Sequence, residues 1–93
     1  MYCCVLVVEL HLPMSQSLKE KRALVKPVVD GARARFAVAA AETAFLDKWQ
    51  RAEVAFAALG ATPGHVQDVL DEVERFVWSR DVEVVTSERR WVE

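Results

Sequence analysis

The sequence predicts a small α+β domain in which strands and helices follow one another as βαββαβ. Three observations predict it. The chain opens on a run that is apolar at both odd and even positions. Two stretches with helical apolar spacing each begin at a recognisable cap. Runs with period-two alternation follow both of them. With 93 residues, 53% hydrophobic and 28% charged, the composition is that of one globular domain.

Residues 2–12 read as the first strand. Tyr2, Cys4, Leu6, Val8, Leu10 and Leu12 fall on one face, and Cys3, Val5 and Val7 on the other, ahead of Glu9 and His11. A strand apolar on both faces belongs at the centre of a sheet. Pro13 ends it. Ser17-Leu18-Lys19-Glu20 is a capping box, in which Ser17 caps the amide of Glu20 and Glu20 reaches back to Ser17. The helix it starts carries Leu18, Val25, Val28, Val29, Ala32 and Phe36 at helical spacing. Pro27 stands inside it, and an interior proline costs about 3 kcal/mol, so the spacing predicts a kink or a helix in two pieces.

Residues 37–43 form the second strand, weak in β propensity because it is rich in alanine. Residues 44–50 connect it to a third strand over 51–59, in which Ala52, Val54, Phe56 and Ala58 alternate with Arg51 and Glu53. Gly60 ends that strand. Thr62-Pro63 starts the second helix, with threonine as N-cap and proline at the first helical position. Val66, Val69, Leu70, Val73, Phe76 and Val77 make its apolar stripe, and the last strand covers 82–91.

Two right-handed crossovers joined by a hairpin give a four-stranded antiparallel sheet with both helices on one face, the ferredoxin-like arrangement. The other face is then uncovered, yet the first strand presents Val5 and Val7 there. That face is a candidate interface, and the expected assembly is a homo-oligomer, most simply a two-fold dimer.

Several function classes are disfavoured. The longest apolar run, 2–8, is far short of the ~20 residues that span a bilayer, so no membrane association is expected. It lacks a basic flank and meets Glu9, unlike a signal peptide, which puts the expected location in the cytoplasm. Cys3 and Cys4 are neighbours on opposite sides of a strand and suit buried thiols better than a metal or a disulfide. His11 and His65 have no Cys or His at ligand spacing. No nucleophile elbow, P-loop or dinucleotide fingerprint occurs. Metal carriers of this fold place C-x-x-C after the first strand, where this chain has Leu12-Pro13-Met14-Ser15. Acylphosphatases place an Arg-bearing phosphate loop there, also absent. No enzyme, cofactor or metal is expected. The third strand has one aromatic and no RNA-stacking pattern.

Charge is more informative. Residues 19–35 hold six basic side chains against Glu20 and Asp30, a net of +4, and residues 68–83 hold six acidic ones against Arg75 and Arg80, a net of −4, in a chain of net charge −2. Lys19, Arg22, Lys26 and Arg33 fall within about 60° of one another on the first helix. This ridge suits either a solvated face balanced by the neighbouring helix or a set of phosphate contacts with RNA as the partner. Four phosphate contacts would give a log–log salt slope of about −3 to −4. Phe45, Trp49 and Arg51 at the hairpin and Trp91 near the end are the remaining candidates for partner or oligomer contacts, beside Val5 and Val7.

Ser17-Leu18-Lys19-Glu20-Lys21-Arg22, Asp47-Lys48-Trp49-Gln50-Arg51-Ala52 and Glu88-Arg89-Arg90-Trp91, together with Leu10-His11-Leu12-Pro13 before Ser15-Gln16-Ser17, resemble the YlxP-like family of small bacterial proteins across essentially the whole chain. The chain departs from that pattern at Pro27 and in the alanine-rich stretch 37–41. The resemblance implies a ferredoxin-like fold, a bacterial cytoplasmic setting and, through gene neighbourhood, an association with ribosome assembly, with ribosomal RNA or a ribosomal subunit as the partner the basic ridge would meet. It implies no catalytic residues. In the shared motifs Lys21 points towards the sheet, where Glu9 or Glu42 could pair with it.

Overall fold

A computed structural model describes residues 1–92. The elements are β1 (Tyr2–His11), α1 (Leu18–Arg35), β2 (Val38–Ala44), β3 (Arg51–Gly60), α2 (Pro63–Trp78) and β4 (Glu83–Val92). They form one antiparallel sheet in the order β2-β3-β1-β4. This is the ferredoxin-like α+β fold, with the two-faced β1 in an interior position between β3 and β4.

The core lies between the sheet and the helices. Cys4, Leu6, Val8 and Leu10 of β1 and Ala52, Val54, Phe56 and Ala58 of β3 are buried in strict alternation. Val25, Val28, Val29 and Ala32 of α1 and Val66, Leu70, Val73, Phe76 and Val77 of α2 close over them. Each buried valine, leucine or phenylalanine contributes about 1.5–3 kcal/mol, which is how a chain this short acquires a stable core.

The capping signals place both helices. Ser17 Oγ accepts from the Glu20 amide at 3.1 Å, and Thr62 Oγ1 accepts from the His65 amide at 3.2 Å. Glu20 reaches back one residue further than the box predicts, to the amide of Gln16. Pro27 does not divide α1, which runs through it for 18 residues. Pro27 and Ala23, whose carbonyl would have received the missing amide, are both exposed, so water can hydrate that carbonyl.

Two bulges interrupt the ladders. The β2–β3 register shifts between Glu42 and Ala44, and the β1–β4 register shifts opposite Glu9 and Leu10, which leaves Thr43 and Val85 as the extra residues. Both lie at the same end of the sheet. No helix among the described residues is long and apolar enough to cross a membrane.

The helices meet at Gly31. A Cβ there would lie 2.5 Å from Cζ of Phe76. That ring is buried, packs edge-on against Phe36 with centroids 5.9 Å apart, and sits under the guanidinium groups of Arg35 and Arg80. In an open helix, Gly→Ala gains about 1 kcal/mol, whereas overpacking costs about 1–3 kcal/mol. The steric effect wins here, so Gly31→Ala is expected to lower the urea midpoint; an unchanged or raised midpoint would show that the ring moves freely.

Candidate functional site

The hairpin end of the sheet is organised by one buried cation. Lys21, on the inner face of α1, is 2% exposed. Its Nζ lies 2.7 Å from Oε2 of Glu42 and donates to the carbonyl of Phe45 at 2.6 Å. Glu42 Oε2 is buried and has no hydrogen-bond partner of good geometry among the described residues, so its ion pair with Lys21 alone compensates its burial. Phe45 has φ of 60°, a left-handed conformation that is uncommon for an aromatic residue. Its ring lies 3.9 Å from the guanidinium of Arg51, which also donates to Glu9 Oε1 at 3.0 Å. Gln50 donates to the carbonyls of Pro13 and Ser15, fixing the hairpin against the β1–α1 loop.

These contacts shape a groove of about 610 Å³ at that end of the sheet, lined by Glu9, His11, Trp49, Arg51 and Val85 among others. Trp49 is 53% exposed and Val85 54%. His11 Nδ1 lies 3.0 Å from Glu83 Oε2. Glu9 is paired with Arg51, and no cluster of three metal-ligating side chains occurs among the described residues.

From the groove, the uncovered sheet face extends in rows. Glu88, Val7, Ala55 and Ala41 lie side by side, then Arg90, Val5, Ala57 and Ala39. Cys3, Leu59 and Val92 form the row at the far end. Val5 and Val7 are half-buried by their neighbours, while Leu59, Val92, Ala39 and Ala41 are exposed. The sequence reading found Val5 and Val7 but not the alanine rows beside them, whose alternation is visible once Phe56 is known to face inwards.

Trp91 does not share this face. It pairs with the buried Cys4, so it stands on the helix side of β4, 41% exposed. Trp49 and Arg51 are brought together with Val85 at the groove, the Phe45 ring lies against Arg51, and Val7 and then Val5 follow along the open face.

The basic ridge is present but partly spent. Lys26 lies 3.1 Å and Arg33 3.7 Å from the two carboxylate oxygens of Asp30, and Arg33 also donates to the carbonyl of Ala40. Lys19 and Arg22 are exposed and form no ion pair among the described residues. The acidic side of α2 is balanced by β4 and not by α1: Arg89 lies 2.7 Å from Asp71 and 3.5 Å from Glu74. Burial pulls the Arg89 guanidinium down, but its bonds to these carboxylates and their field outweigh that and hold it above its usual value.

A family profile described as a protein of unknown function, DUF503, matches residues 3–90. The chain belongs to this family. No curated protein matches the sequence. The DUF503 assignment attaches no activity to the groove or the open face.

Two outcomes test this description. Removing Lys21 strands Glu42 and the Phe45 carbonyl, and breaking a buried pair costs about 3–5 kcal/mol, less where one partner meets water as Glu42 does. Lys21→Ala is therefore expected to lose about 2–3 kcal/mol in urea unfolding, more than an exposed Lys19→Ala. Burial pushes the Cys4 thiol up, against the opposing field of Arg89. With its thiolate suppressed, Cys4 is expected to stay unmodified by maleimide in the folded protein, while half-buried Cys3 on the open face reacts. Mass spectrometry of the labelled peptide decides between them.

Proposed function

We propose that this DUF503 protein is a non-catalytic, cytoplasmic interaction domain that self-associates through the uncovered face of its sheet. One observation carries the reading. The helix side of the sheet is filled, whereas the opposite side presents two adjacent rows of valine and alanine with charged residues only at the margins. An apolar centre with a polar rim is the anatomy of an interface.

The edges of the sheet are poorer docking sites. On β2 the Arg33 guanidinium occupies the carbonyl of Ala40, and β4 carries a bulge at Val85 and the charges of Glu88, Arg89 and Arg90. Both are recognised ways of blocking strand addition. Strand spacing makes the face roughly 20 Å by 19 Å, so a dimer would bury on the order of 800 Å² in projection, below the usual size for stable interfaces. The association is therefore weak and concentration-dependent.

A second reading has its own observation. The resemblance to YlxP-like proteins suggests a ribosomal RNA partner, and Lys19 and Arg22 are exposed to receive one. With Lys26 and Arg33 shared with Asp30, two phosphate contacts remain, and the salt slope falls to about −2, half that of the full ridge. This is a small electrostatic anchor, so self-association is the better supported function.

Sedimentation velocity from about 1 to about 500 µM tests the proposal by mass action. Wild type is expected to shift from monomer to dimer. Val5→Asp and Ala41→Glu, the second at an exposed margin where folding is not at stake, are expected to remain monomeric. A wild-type protein monomeric throughout overturns the proposal. Ribosomal RNA retention lost in Lys19→Glu, Arg22→Glu, with dimerisation intact, would move the function to the second reading.

A further inference from the structure

The open face also specifies how two copies meet. Two sheets packed face to face can be related by a two-fold axis lying between them, either parallel or perpendicular to the strands. The perpendicular axis sets β1 over β1 and β3 over β3, and turns one end of the sheet over the other. The parallel axis, passing between β1 and β3, sets β1 over the β3 of the partner and β4 over its β2, with like ends together.

Size and polarity separate the two. The central rows contain a valine ridge, Val5 and Val7 on β1, beside an alanine trough, Ala55 and Ala57 on β3. The perpendicular axis puts ridge on ridge and trough on trough, which holds the sheets apart and leaves voids over the alanines. It also lays the apolar end, Cys3 and Leu59, over the end bearing Glu9 and Glu53. The parallel axis fits each ridge into the partner's trough and keeps apolar ends together. One effect favours the perpendicular axis, because Arg90 would then face Glu88 of the partner subunit. That pair already forms within one chain and is exposed, and exposed pairs contribute only about 0–1 kcal/mol. Burying carboxylates against apolar side chains costs more than that.

We infer that two copies of this chain pack about an axis parallel to the strands, with Val5 and Val7 of each seated over Ala57 and Ala55 of the other, and Arg90 and Glu88 lying over the exposed Ala39 and Ala41 of the partner's edge strand. At the hairpin end the two grooves then face one another across the axis, which brings Trp49 of one copy towards Val85 of the partner subunit. The inference rests on the self-association proposed above and adds its geometry.

Cross-linking tests the geometry directly. Within one chain β4 and β2 are three strand spacings apart, about 14 Å, whereas facing sheets are about 10 Å apart. In a Cys3→Ser background, an Arg90→Cys chain is mixed with an Ala39→Cys chain above the dimer's dissociation constant and treated with a short bismaleimide. Cross-linked dimer is expected several-fold above that from either chain alone, and Glu88→Cys mixed with Ala41→Cys should repeat the result one row along. Preferential cross-linking of Arg90→Cys with Glu88→Cys chains would overturn the axis while leaving self-association standing. So would cross-linking in neither mixture when sedimentation shows the variants to be dimeric. Monomeric wild type would overturn both proposals together.

Discussion

The buried Lys21 is the constraint on which the hairpin end depends. An ammonium taken out of water carries a penalty of several kcal/mol unless its donors are matched, and only Glu42 and the Phe45 carbonyl match them here. That requirement ties α1 to the end of β2 and accompanies the left-handed conformation of Phe45. The Phe45 ring then lies beneath Arg51, Arg51 reaches Glu9, and the chain turns to present Trp49 beside the bulged Val85. A hydrophobic residue at position 21 could fill the volume, but it would leave the Phe45 carbonyl and Glu42 without a donor. The groove is thus built from the inside of the molecule outwards.

The two sides of the sheet are finished differently. On the helix side, alternation, capping and the contact of Gly31 with Phe76 leave a filled core. On the open side, β1 carries valines where a strand facing water would carry polar residues. Its central position explains part of this, since Val5 and Val7 are shielded by β3 and β4. Shielding does not explain the alanines on β2 and β3, which are small enough to leave the valines standing proud of the surface. A strand pair chosen only to face solvent would have Thr, Lys or Glu at those positions.

Much of this was legible in the sequence because it is local. The capping box at Ser17, the Thr62-Pro63 start and the two-faced first strand each follow from a few neighbouring residues, and together they specify the element order. The direction of Lys21 was legible too, since it lies about 160° from Lys19 and about 100° from Arg22 around the helix, although the choice of Glu42 over Glu9 depends on how the helix lies across the sheet. The bulges were not legible, because an extra residue is placed by pairing and twist and not by composition. Their consequence is specific. Val84 faces inwards, and alternation counted from it puts Trp91 on the open face. The extra residue Val85 reverses that parity, so Ser87, Arg89 and Trp91 turn to the helix side. Charge was legible as a sum but not as pairs: Asp30 takes up Lys26 and Arg33, and Arg89 gathers Asp71 and Glu74, so the two helices do not neutralise each other.

These features bear on one another through stability. A domain of this length buries roughly 60–65% of its unfolded surface, and its margin is correspondingly small. Any partner that binds only the folded chain adds RT ln(1 + [L]/Kd) to that margin, and for a self-associating chain the ligand is the protein itself. At tenfold the dissociation constant this is about 1.4 kcal/mol, a substantial fraction of a small domain's stability. An open face of valines and alanines therefore need not be a defect tolerated in the monomer. Under the proposed self-association, concentration would set how firmly the fold is held, through burial of the valine ridge in a trough of the size that Ala55 and Ala57 leave.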